Sequence, residues 1–120
     1  MATRAFTATR IGPGMNRIVW TGLLNGDDGA PYSDFYTTEK GVQVEGTFGA
    51  GGTVVIEGSL EEPPTNYRTL NDPQGNALSF TSARIEKVQE PNGVIRPRAT
   101  AGDGTTNLTV TMVTRKTPDV

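Results

Sequence analysis

Short runs of alternating apolar and polar residues, each cut off by a cluster of Gly, Pro, Asn or Asp, limit what this chain can become. Val42, Val44 and Phe48 alternate with Gln43, Glu45 and Thr47, and Val54, Ile56 and Leu60 alternate with Val55, Glu57 and Ser59. Leu108, Val110 and Met112 alternate in the same way with Thr109, Thr111 and Val113. A period of two puts one set on each face of a strand. Turn chemistry stands between such runs at Asn25–Gly29, Gly49–Gly52, Asn71–Asn76 and Ala101–Gly104. Only Ser82–Gln89, where Ile85 and Val88 are three apart, could pass for a helix. Its shortness and its place between strand signals favour a strand with a bulge. Strand signals recur at about 8–12 residues, so the expected fold is all-β. It is an antiparallel β-sandwich (jelly-roll or Ig-like) of about eight short strands with an extended N-terminal arm.

The pattern also predicts where the strands go. Asn16–Leu24 reads as a strand with Ile18, Trp20 and Gly22 on one face, and Trp20 is the expected core anchor. Gly41–Phe48 and Val54–Leu60, joined by the glycine-rich link, read as an antiparallel hairpin. Gly46 and Gly58 mark bulges or close backbone approaches within it. In Val94–Thr100, Ile95, Pro97 and Ala99 share a face and Arg96 and Arg98 point away. Pro97 cannot donate to a ladder, which predicts an edge or bulged strand. Residues 1–14 hold only Phe6 and Ile11 as large apolar side chains, so they read as an edge strand or as an arm ordered by a neighbour. The domain expectation is an arm over 1–14, a sandwich over 15–116 and a frayed tail over 117–120.

Composition matters for the size of the core and for the chemistry it excludes. Leu, Ile, Val and Phe number six, five, ten and four in 120 residues. That is just above the ~20% line below which chains tend to stay disordered, but the net charge is only −2. One domain with a thin core is expected. There is no Cys, hence no disulfide, no thiolate metal site and no thiol nucleophile. There is no His, hence no imidazole base and no Ser-His-Asp triad. The apolar runs are too short to span a membrane, and the start of the chain has no signal-peptide core. An isoelectric point near 5.0 without a basic cluster argues against nucleic acid as the main partner. The chain is expected to be no enzyme and to use no cofactor or metal.

The remaining candidates are contact residues. Asp27, Asp28 and Asp34, or Asp103, could offer oxygens to Ca²⁺, but no EF-hand spacing is present and Asp belongs in turns for its own reasons. Glu57, Glu61 and Glu62 could suggest a glycosidase pair, yet neighbours on a strand face opposite ways. Arg96 and Arg98, stiffened by Pro97, could grip a carboxylate on a neighbouring subunit. Tyr32, Phe35 and Tyr36 lie in an irregular segment, where aromatics favour interfaces. With Phe6 and Ile11 of the arm, these seven form the expected interface.

Several stretches together resemble small virion structural proteins of tailed bacteriophages. They are Trp20-Thr21-Gly22-Leu23 with Asn25-Gly26-Asp27-Asp28-Gly29-Ala30-Pro31, then Gly46-Thr47-Phe48-Gly49 running into Val54-Val55-Ile56-Glu57-Gly58-Ser59. Asp72-Pro73-Gln74-Gly75-Asn76, Ile95-Arg96-Pro97 and Ala101-Gly102-Asp103-Gly104-Thr105-Thr106 complete the order. The resemblance spans residues 18–115 and implies a head-decoration (cement) subunit. Such a subunit is made in the host cytoplasm, sits on the outer surface of the head as a trimer, and bridges copies of the major capsid protein. The alternative is a tail- or fibre-associated, or carbohydrate-binding, β-sandwich module. These two readings differ in what they ask of the surface: shape-matched protein contacts, or aromatic platforms exposed to sugars.

Overall fold

The structure, a computed structural model, describes residues 2–90 and 93–116. Its strands are β1 (Thr3–Arg4), β2 (Phe6–Gly12), β3 (Met15–Leu23), β4 (Asp28–Gly29), β5 (Tyr32–Ser33) and β6 (Glu39–Thr47). They continue as β7 (Thr53–Ser59), β8 (Arg68–Thr69), β9 (Ser79–Phe80), β10 (Arg84–Lys87), β11 (Val94–Ala101) and β12 (Asn107–Arg115). The all-β expectation holds, with twelve strands where about eight were expected. The excess consists of two-residue pieces within the turn-rich stretches 28–33 and 68–80. The expected tail 117–120 and the turn residues Pro91 and Asn92 lie outside the described residues.

Two sheets face each other. One runs β10-β6-β12-β3-β2, and the other β1-β4-β11-β7-β8, with β5 also paired to β11 and β9 to β7. All pairings are antiparallel except β1 with β4. Ile18, Trp20, Val42, Val44, Val110 and Met112 from the first sheet meet Val54, Ile56, Phe80 and Ile95 from the second. Each such side chain contributes ~1.5–3 kcal/mol by leaving water, which is what holds the layers together.

The expected hairpin is not formed. β6 and β7 lie in different sheets, and Gly49–Gly52 carries the chain across the sandwich as an arch. β6 pairs instead with β12, in unbroken register from Asn107↔Thr47 to Arg115↔Glu39. Val42 and Val44 thereby face Val54 and Ile56 through the core rather than lying beside them. Gly49 (φ +71°) and Gly51 (φ +70°) turn the arch. The Asp103 carboxylate accepts the Ala50 N–H at 2.8 Å, and Thr106 Oγ1 donates to the Phe48 carbonyl at 2.7 Å.

Three local expectations change for physical reasons. On β3 the register slips between Leu108↔Leu23 and Val110↔Trp20, because Gly22 (φ +69°) forms a bulge. Leu23, not Gly22, therefore points inward. Leu60 is 67% exposed, because β7 ends at Ser59 and the Ser59 hydroxyl accepts the Glu61 N–H to start a turn. Pro97 lies on an internal strand, between β7 and the broken partner β4/β5, so the edge form is not seen, while the bulge of that strand falls further along, between Ala99 and Ala101. Ala99 donates to Asp27 O and accepts from Gly26 N on that broken side. Pro97, two residues earlier, turns its missing donor to the same side, where residues 30–31 interrupt the partner strand. The 84–87 strand pairs with β6 with no bulge.

Of the two forms open to the opening segment, the structure shows the edge strand. β2 pairs with β3 from Phe6↔Trp20 to Gly12↔Met15, and β1 crosses to the other sheet to pair with β4.

Candidate interaction surface

Residues 34–40 leave β5 and enter β6 through a tight turn. The Asp34 carboxylate accepts the N–H groups of Tyr36 (3.0 Å) and Thr37 (3.1 Å) and the Thr37 hydroxyl (2.8 Å). Lys40, at an inward position of β6, is buried and donates Nζ to the carbonyls of Asp34 (3.2 Å) and Thr37 (3.1 Å). Burial pushes the Asp34 carboxyl up, but the Thr37 and Tyr36 bonds and the Lys40 charge outweigh it and hold it below the usual range. Burial pushes the Lys40 ammonium down, with the Asp34 charge opposing. Phe35 and Tyr36 are thus presented on a braced turn, 51% and 89% exposed. Beside Tyr36 opens a cleft of about 290 Å³ lined by Gly14, Asn16, Ser33, Thr37 and Lys116.

Tyr32 lines the same cleft and is also tied to the core. Its ring packs edge-on against Phe6 (centroids 5.4 Å apart), and Phe6 packs edge-on against Trp20 (5.9 Å). These three close the gap between the sheets at β2, so Phe6 and Tyr32 have a packing role. Trp20 is buried as expected and donates Nε1–H to the Ala30 carbonyl at 2.9 Å. Ile11 is 37% exposed near the end of β2.

Arg96 and Arg98 stand on the outer face of the seven-stranded sheet, and the carboxylate they grip is Glu57 of their own chain. Arg96 Nε lies 3.0 Å from Oε1 and Arg98 Nε 3.1 Å from Oε2. Arg96 also reaches Asp28 at 3.4 Å, and its guanidinium lies 3.8 Å from the centre of the Tyr67 ring. The Arg pair and its acids cancel in charge, leaving an ordered polar patch in which Arg98 is the more exposed cation.

The acidic candidates are structural. Asp27 is buried and accepts Ala2 N–H, Leu24 N–H and Arg4 Nε–H, fastening β1 to the β3–β4 turn. Burial raises its carboxyl, and those bonds outweigh burial to bring it below the usual range. Glu61 is held down to about 2 by Asn66 and Thr65, and Asp103 to about 2 by Thr105 and the Ala50 N–H. Among the described residues no three acidic side chains converge as metal donors. Glu57 and Glu61 serve separate networks and do not face one cleft.

The supports were missed in the sequence. Lys40 carried a signal, since it continues the inward parity of Val42 and Val44 and a cation there demands partners. Glu57, Asp28 and Tyr67 carried none, because cross-strand neighbours depend on register.

No protein-family model matches the sequence, and no curated protein matches it. Among solved structures, the SPBc2 prophage-derived protein YomS superposes with a TM-score of 0.63 at 10% identity, covering 88% of this chain and 98% of that one. The fold is shared. Lower similarity is found with CoII HppE in complex with Tris buffer (TM-score 0.46, 13% identity, 91% of this chain and 52% of that one). Peruvianin-I, a cysteine peptidase from Thevetia peruviana latex, gives a TM-score of 0.41 at 16% identity over 85% of this chain and 49% of that one.

Proposed function

We propose that this chain is a non-enzymatic structural protein of a phage virion, a decoration subunit that binds the outer surface of the head and bridges major capsid proteins. The observation that carries the binding role is the braced Phe35–Tyr36 turn. Tyr36, held out in solvent, and Phe35, half exposed over Gly93, sit on a turn fixed by Asp34 and Lys40, so they lose little freedom when a partner covers them, which favours association. The phage setting is supported by the motif resemblance and by the fold shared with prophage-derived YomS. The absence of His and Cys, and the engagement of Glu57, Asp27, Glu61 and Asp103 in structural bonds, support a role without turnover.

Co-sedimentation of the full chain with phage heads lacking this subunit tests the proposal. Saturable binding that falls ~10-fold or more in Tyr36→Ala and Phe35→Ala is the expected result. Heads that leave the chain in the supernatant reject it. The cleft beside Tyr36, with Asn16 and Lys116 as polar neighbours, favours the sugar-binding module as second reading, and saturable binding on a glycan array would select it.

A further inference from the structure

We propose that the free edge of β2 is a self-association site, at which two copies of this chain join their five-stranded sheets about a two-fold axis centred on Ala8. An open sheet edge is a template for another strand unless the protein blunts it. The described edges are blunted in every case but one. The seven-stranded sheet ends in the two-residue strands β1 and β8. The β10 edge is short and charged, with Arg84 and Glu86 ion-paired along it at 3.0 Å. β2 has seven residues, Phe-Thr-Ala-Thr-Arg-Ile-Gly, with one charge and no proline, and it is exposed along most of its length.

The ladder shows which groups are free. Val88 N–H donates to Lys40 O, so Lys40, and by alternation Val42 and Val44, point their backbone groups toward β10. Carrying that alternation through β12 and β3 leaves Thr7 and Thr9 bonded to β3. The N–H and C=O of Phe6, Ala8 and Arg10 point off the end of the sheet.

The strand suits a copy of itself. Centred on Ala8, Phe6 lies opposite the partner's Arg10 in both halves, and Thr7 lies opposite the partner's Thr9. Every outward backbone group of the three residues then finds its complement. The Arg–Phe pairs are cation–π partners and the Thr–Thr pairs favourable cross-strand neighbours. The two Arg10 side chains start roughly 14 Å apart along the strands, which keeps like charges separate. Centring on Thr9 would set Phe6 against Gly12, beyond the irregularity between Arg10 and Gly12. The result is a dimer rather than the trimer the resemblance implies.

Ala8→Pro tests this in the full chain, because the N–H it removes is not used within the subunit and proline is tolerated on such an edge. Sedimentation analysis should show the native chain doubling its mass as concentration rises. Ala8→Pro should associate more than ~10-fold more weakly with an unchanged melting temperature. Ala8→Cys is the second probe, since it introduces the sole thiol. Oxidation should give a disulfide-linked dimer, whereas Thr21→Cys should stay monomeric. A native chain that is monomeric at every concentration, an Ala8→Pro variant that associates as tightly as native, or an Ala8→Cys variant that does not cross-link overturns the proposal. A native monomer whose head binding is lost in Ala8→Pro overturns it too, by assigning the edge to a capsid strand. The proposal stands apart from the virion role, because mass and cross-linking are read without heads.

Discussion

Glu57 is 5% exposed and answers two guanidinium groups at once, so its removal leaves both without their main counter-charge. Glu57→Gln keeps the shape and removes the charge. Because Arg98 is largely solvated, the expected loss is about 1–2 kcal/mol rather than that of a fully buried pair, read from the urea midpoint. The carboxylates of Asp103 and Glu61 predict a pH effect. Their folded values near 2 lie below ordinary values of 3.8 and 4.5, so their contribution is complete above the ordinary values and is lost as pH falls toward 2. Stability should therefore decline on acidification through that window. In Asp103→Asn the decline should be shallower and the neutral-pH stability lower, as a melting series at stepped pH will show. The two Arg were visible as an outward pair in the sequence. Their acceptor was not, because Glu57 and Arg96 are 39 positions apart and meet only through the β7–β11 register.

At the level of elements, alternation located β3, β6, β7, β11 and β12 to within a residue or two, since a half-buried strand must repeat with period two. It could not say which strands pair. A glycine-rich link between two alternating runs suits a hairpin and an arch equally, and the difference lies in what else each strand finds. β6 found β12, a nine-residue partner, and β7 found β11. The arch is tight: a Cβ on Gly52 would overlap the Phe48 carbonyl. Gly52→Ala is therefore expected to cost ~2–3 kcal/mol, measured by thermal unfolding. A comparable loss is expected for Gly29→Ala, whose Cβ would lie 2.6 Å from both Trp20 Cδ1 and Pro97 Cδ, with no room for either ring to withdraw.

Across the whole molecule, the opening residues are part of the body. β1 and β2 supply Phe6 to the aromatic trio and Arg4 to Asp27, so deleting residues 2–12 should lower the melting temperature as well as any binding. Tyr36→Ala should leave unfolding within ~0.5 kcal/mol of native while affecting partner binding, which separates the surface from the scaffold. Of the seven expected contact residues, Phe6 and Tyr32 pack against the core, Arg96 and Arg98 are held by Glu57, and Ile11 is partly exposed near the end of β2. Phe35 and Tyr36 stand out because the Asp34–Lys40 brace turns them outward. The all-β class, the major strands, most of their inward-facing residues and the lack of imidazole and thiol chemistry could be read directly from residue order, because they depend on local periodicity and inventory. Sheet membership, the inversion of Leu23 and Leu60, the tolerance of Pro97 inside a sheet and the open edge at β2 could not. Each depends on which distant segment lies alongside, and that is settled by the joint packing of two sheets rather than by any one segment's preference.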